Sequence, residues 1–199
     1  MTSGRYHHGD LRAALLDHAE RVVAESGVDA LSLRELARVA KVSHAAPGAH
    51  FASRQHLLDA VAARGFARLE QALRLAKAES PDFLERTHAV SRAYVDFALR
   101  HGQLLSLMYS TKGQTTGIDL TLAESRAYAV FSDLLSEGQR EGRLLPGPEN
   151  EVGLPFFAAI HGAASLMATG AVPADRFEAT IRNVVERALF GVWIGTTDH

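Results

Sequence analysis

An all-α fold is what this 199-residue chain predicts, and three observations predict it. Apolar residues recur at three- and four-residue spacing along almost the whole length. The Val/Ile/Thr alternation of half-buried strands is missing. Helix-starting Ser and Asp residues and a helix-stopping glycine punctuate the periodic runs. The hydrophobic share, 47%, is ample for a packed core, and the length suits about one to two domains.

The elements are expected in the following order. A first helix over 10–26 starts at Asp10, puts Leu11, Leu15, Ala19, Val22 and Val23 on one face, and stops at Gly27. A short second helix over 32–39 opens on Ser32-Leu33-Arg34-Glu35, a capping box in which hydroxyl and carboxylate each satisfy an orphan backbone N–H. After Ala40-Lys41-Val42, Ser43 starts a very short third helix reaching about His50. Ser53 caps a long helix over 53–79, with Leu57, Leu58, Val61, Leu69, Leu73 and Ala76 at helical spacing. Ser80-Pro81 opens the next helix, over 80–100, with proline in the favoured first turn. Shorter and longer helices follow over 103–109 and 119–141, then a loop over 142–150 with two prolines and two glycines. Two last helices are expected over 151–169 and 174–193. The stretch from Val152 to Ala174 is uncharged and long enough to span a bilayer. Pro155, His161 and three glycines favour a buried helix and loop instead, so no membrane partner is expected.

With 21 Lys+Arg against 23 Asp+Glu, no global basic field drives the chain onto a polyanion, so any nucleic-acid site is a local patch. Cysteine is absent, which excludes disulfides, thiolate metal sites and cysteine nucleophiles and fits a cytoplasmic setting. Residues 1–10 lack an apolar core, so no secretory signal is expected and the mature chain is taken to start at Met1. Catalysis finds no support, since there is no G-x-S-x-G elbow, phosphate-binding loop, G-x-G-x-x-G or H-E-x-x-H. His44, His50 and His56 are six apart and share no helix face, so no metal or cofactor is expected.

Two short helices joined by a tight turn and braced by a longer one have the shape of a helix-turn-helix, whose second short helix enters the major groove of DNA. The residues themselves, Arg5-Tyr6-His7-His8-Gly9-Asp10-Leu11-Arg12, Ala30-Leu31-Ser32-Leu33-Arg34-Glu35-Leu36-Ala37, Val42-Ser43-His44-Ala45-Ala46-Pro47 and His50-Phe51, resemble the N-terminal domain of the TetR family of transcriptional regulators. That resemblance covers about residues 5–73. Farther on, Phe157-Ala158-Ala159-Ile160-His161-Gly162 resembles the W-x-x-x-H-G motif of one TetR subgroup, with phenylalanine in place of tryptophan. The resemblance implies a DNA-binding domain over 1–54, a connecting helix over 53–79, and an effector-binding and dimerisation domain over 80–199.

On this reading Ser32 and Ser43 offer helix-start N–H groups to phosphates, or serve as caps alone. The resemblance implies that Arg34 reaches a base edge; a solvated arginine or a local ion pair is the plainer alternative. His44, Ala45 and Ala46 form the exposed start of the third helix, the methyls suited to thymine methyls. Lys41, His50 and Arg54 flank them as phosphate contacts, and Arg5 enters the minor groove. One departure stands out: where the family usually has tyrosine and a larger residue, this chain has Gly48 and Ala49.

The aromatic-rich second half suits an apolar cavity with a few orienting groups, and the resemblance implies a small effector there. Candidate lining residues are Phe97, Leu104, Met108, Tyr109, Tyr128, Phe131, Phe157 and His161. The stripe Ile181, Val184, Val185, Ala188 and Val192, with Phe156 and Met167 of the preceding helix, suits a four-helix interface between two copies. The expected function is a repressor that binds a palindromic double-stranded DNA operator as a homodimer and is released by a small apolar effector. The alternative is a ligand-binding dimer whose DNA binding is weak or lost.

Overall fold

The computed structural model describes residues 8–110 and 117–190. Arg5 and Val192, expected at the DNA and between subunits, lie outside these residues. Among the described residues there is no strand and there are eight α-helices: α1 His8–Ser26, α2 Leu33–Val39, α3 Arg54–Lys77, α4 Phe83–Arg100, α5 Gly102–Ser110, α6 Ile118–Arg140, α7 Glu149–Ala168 and α8 Phe177–Phe190. Three short 3-10 turns, Val28–Ala30, Pro47–Ala49 and Ala174–Arg176, complete the described elements.

The all-α class holds, and the ends move where local chemistry differs from the expected cap. Ser53 caps α3 as expected, its hydroxyl accepting from His56 N at 3.1 Å. Ser80 does not open α4. Asp82 takes that place by accepting from Glu85 N at 3.0 Å, while the Ser80 hydroxyl accepts from Asp82 N at 3.2 Å. At the last helix, Pro173 starts a 3-10 turn and α8 begins only at Phe177. The largest correction concerns the expected helix over 43–50, which is a run of three-residue hydrogen bonds instead: Ala46 N to Ser43 O, Gly48 N to Ala45 O, Ala49 N to Ala46 O and His50 N to Pro47 O, at 3.0–3.2 Å. Pro47 contributes no N–H and Gly48 is a poor helix residue, so no four-residue ladder runs through the segment, and the one such bond, Phe51 N to Pro47 O, closes its end.

The chain forms two compact units. The first takes the described residues through Phe66 together with the described residues of Gln103–Ala123. The second takes Ala67–Gly102 and the described residues from Glu124 onward. The first unit therefore differs from the expected segment 1–54: it gains the first half of α3, nearly all of α5 and the start of α6. Its core joins Leu15, Ala19 and Val23 of α1, Leu36 of α2, Leu57 and Val61 of α3, and Leu107 and Met108 of α5, all buried. Gly65 is what lets α5 lie close to α3, because a Cβ there would meet Met108 Sδ at 2.7 Å and Leu104 Cδ1 at 3.2 Å. Tyr109 closes the same contact edge-on to Phe66, with ring centroids 6.0 Å apart.

In the second unit α4, α7 and α8 pack on one another. Arg92 of α4 ties to Glu178 of α8 at 2.6 Å, and Lys77 of α3 to Glu137 of α6 at 2.8 Å. The α7 segment Glu151–Ala168 is long and apolar enough to cross a membrane. Here Phe156, Ile160, Ala163, Ala164 and Met167 of that helix are buried in the protein. The stripe assigned to a subunit interface needs correction on the same ground. Phe156, Met167, Ile181 and Val185 are buried within one chain, so they are not available to a second copy. Val184 and Ala188 are half-buried. The large apolar side chains that α7 leaves in solvent are Leu154 and Leu166, 65% and 54% exposed.

Candidate nucleic-acid interface and ligand cavity

The α2 helix starts at Ser32, whose hydroxyl accepts from Glu35 N at 3.4 Å, half of the expected capping box. The other half is replaced: the Glu35 carboxylate takes the Arg38 guanidinium at 2.6 Å, and that ion pair holds the Glu35 carboxyl below the usual carboxylate range. With Glu35 engaged by Arg38, Arg34 is exposed and has no ion pair or hydrogen-bond partner among the described residues. The helix ends in a Schellman arrangement, with Val42 N bonded to Ala37 O at 3.0 Å and Lys41 N to Arg38 O at 3.2 Å. This puts Lys41 at φ +53°, a backbone shape that normally selects glycine, and leaves its side chain exposed.

Beyond Lys41 the chain presents Ser43, His44, Ala45, Gly48 and Ala49 to solvent and buries Pro47, whose carbonyl holds Phe51 N at 2.8 Å. Ala46 and His50 are half-buried. Ser43 takes part through its carbonyl, which accepts from Ala46 N. Arg34, Lys41, Ser43, His44 and Ala45 are thus on the surface together with the start of α2. Arg54 is exposed too, but its guanidinium is engaged. It donates to Leu31 O at 2.8 Å and Val28 O at 2.6 Å, closing the carbonyl end of the first 3-10 turn. A side chain spent on two backbone carbonyls is a poor phosphate contact, and the two-carbonyl role was not visible in the linear sequence.

In the second unit a cavity of about 430 Å³ opens between α6 and α7. Tyr128, Phe131, Ser132 and Leu135 line it from α6, and Gly153, Leu154 and Phe157 from α7. None of these side chains is charged. Of the expected residues, Tyr128, Phe131 and Phe157 are in the wall. His161 lies one ring deeper, stacked on Phe157 at 5.8 Å and 25°, with its Nδ1 2.7 Å from the hydroxyl of buried Tyr94. Phe97 is packed against His101 at 4.9 Å and does not line the cavity. Leu104, Met108 and Tyr109 belong to the first unit, where the first two are core. Sequence reasoning missed Ser132, Leu135, Gly153 and Leu154. The signal was present as the helical spacing 128, 131, 132, 135 on one element and 153, 154, 157 on the other.

A helical protein with a helix-turn-helix-like surface at one end of the chain and an uncharged aromatic cavity in the other half has the architecture of a DNA-binding regulator. Comparison with known proteins gives the family. Residues 15–61 match the family model described as bacterial regulatory proteins, tetR family, and residues 87–189 match the tetracyclin repressor-like C-terminal domain. A protein of unknown function from Rhodococcus sp. RHA1 is 38% identical, with a TM-score of 0.87 over 96% of this chain and 100% of that one. The fatty acid degradation regulator FadR from Bacillus halodurans shares the fold at 15% identity and a TM-score of 0.72, covering 100% of both chains. So does the regulator PfmR from Thermus thermophilus, at 18% identity and a TM-score of 0.66 over 88% of this chain and 97% of that one. A search of curated protein sequences gives no match. The chain belongs to the TetR family of transcriptional regulators, with an N-terminal DNA-binding domain and a C-terminal ligand-binding domain.

Proposed function

We propose that this regulator is a repressor that binds a palindromic operator as a homodimer and leaves it when an uncharged, apolar small molecule occupies the α6/α7 cavity. The observation that carries the DNA half is Arg34: exposed, without an internal partner among the described residues, and in the first turn of α2, with Lys41, Ser43 and His44 also exposed in the segment that follows that helix. A guanidinium so placed suits the O6/N7 edge of guanine. The cavity's aromatic lining without a charged group favours an apolar ligand. Release requires the ligand to bind the DNA-competent and DNA-incompetent states differently, since equal affinity shifts nothing.

A shift assay on the chain's own upstream region tests the reading. Wild type retards the fragment, Arg34→Ala weakens specific binding by about 1–3 kcal/mol, and a ligand that fills the cavity reverses retardation. No retardation by a folded dimer overturns it. That outcome is what the second reading expects, a ligand-binding dimer without DNA function. Exposed Gly48 and Ala49 favour that reading, because they offer a phosphate nothing beyond a backbone and a methyl group.

A further inference from the structure

The first unit holds a cavity of its own, about 270 Å³ in volume, bounded by α1, by the residues that follow the Pro47–Ala49 turn, by α3 and by the start of α6. Two of its wall residues carry opposite charges that are not matched to each other. Asp59 of α3 is only 7% exposed, and its Oδ1 accepts from Gln55 Nε2 at 2.8 Å. It makes no ion pair among the described residues. Arg12 of α1 likewise has no carboxylate partner among them; its Cζ lies 5.4 Å from the centroid of the Phe51 ring. Beyond the single Gln55 bond, the Asp59 carboxylate has acceptor capacity left for an ammonium donor. A cavity that presents such a carboxylate and an uncommitted guanidinium offers both charges to one occupant.

We infer that this cavity binds a small zwitterion of amino-acid size, its ammonium group on Asp59 and its carboxylate on Arg12. Guanidinium recognises carboxylate through paired N–H donors, and ammonium meets carboxylate as a point charge, so the two ends of the ligand are told apart. Phe51, Ile118 and Leu120 supply an apolar wall for the body of the ligand. The volume lies at the small end of ligand sites, which excludes a drug-sized or lipid-like occupant. His50 and His56 also line the cavity, as does the Asp119 carboxylate in the first turn of α6. A metal ion is a poor occupant, because no three His, Asp or Glu side chains among the described residues converge as a metal requires.

The site is independent of the α6/α7 cavity, and its test needs no DNA. The full chain is titrated with the protein amino acids, one at a time, and binding is followed by amide-detected NMR. At least one of them is expected to shift the amides around Arg12, Phe51 and Asp59 in a saturable way. Asp59→Asn and Arg12→Gln each weaken that binding by about tenfold or more, while the Asn side chain keeps the Gln55 bond and the fold. For a leucine-sized ligand, isopentylamine and isocaproate keep the body and one charge each, and both bind more weakly than the amino acid. Three results would each overturn the inference: no amino acid binding at about 10 mM, affinity that neither variant changes, or a single-charge analogue that binds as tightly as its parent.

Discussion

Two residues decide how the surface and the core respond to their surroundings. Ala49 is exposed on the 43–50 turn and its side chain carries no donor, so under the proposed function it adds nothing to the salt dependence of DNA binding. Ala49→Arg is expected to tighten binding more at low salt than at high salt, by up to about two units of slope in log K against log salt for a dimer. Identical slopes for the two proteins would take residue 49 off the phosphate backbone. His88 of α4 is 1% exposed, and its Nε2, with no hydrogen-bond partner among the described residues, lies 3.7 Å from Glu186 Oε1 of α8. Burial holds its pKa below the ordinary histidine value; Arg182 and Arg92 lower it further, and Glu85 and Glu186 oppose them. The unfolded chain therefore binds a proton here more readily than the folded one. The stabilisation is complete above about pH 6.5 and is lost as the pH falls through the lowered value. Thermal melts from pH 7.5 down to pH 5 are expected to fall in wild type and to fall less steeply in His88→Gln, the range following from the histidine value of about 6.5.

Helices and turns show what sequence patterns convey and what they withhold. Periodicity located all eight described helices and most of their buried faces, because burial on one side leaves a mark in the order of residues. It did not say what each face meets. Leu104 and Met108 look like cavity lining on a helical wheel, yet they are core residues beside Gly65, and only the absence of a Cβ at that glycine marks the contact. Arg54 is the exposed cation it looked like, but its two bonds could not be read from the pattern, because the acceptors, the carbonyls of Val28 and Leu31, lie more than twenty residues away. Caps were legible when a single candidate was present, as at Ser53, and misassigned when Ser80 and Asp82 competed. Close helix approach gives a direct test. A Cβ at Gly138 of α6 would lie 2.6 Å from the Phe83 ring, a rigid neighbour, and 3.0 Å from Leu144 Cδ1. Gly138→Ala is expected to destabilise the chain by about 1–3 kcal/mol, outweighing the gain of up to about 1 kcal/mol from helix propensity. An unchanged or raised melting temperature would show that α4 and α6 yield freely at this point.

For the whole molecule, the proposed function rests on a second copy. A two-fold dimer sets its two reading surfaces into successive major grooves, with half-sites about 34–36 Å apart or more. Apolar positions buried in one chain cannot also form that contact, which turns attention to the exposed Leu154 and Leu166 of α7 and the half-buried Val184 and Ala188 of α8. A charge placed there and buried between subunits would lack a partner. Leu166→Glu is accordingly expected to sediment as a folded monomer at micromolar concentration and to lose cooperative operator binding. A dimer of unchanged strength would move the interface elsewhere. The sequence made the apolar character of α7 plain. It could not show which side of the helix the chain's own α4 and α8 would cover.

The 43–50 turn advances by three-residue hydrogen bonds. Three residues per turn align side chains at i and i+3, whereas an α-helix spreads them around 3.6. Ala45 and Gly48 then form one column and Ala46 and Ala49 the next. Because the chain has no cysteine of its own, single thiols can be introduced at each position from 43 to 50 and their alkylation measured with and without DNA. Protection should recur every third residue.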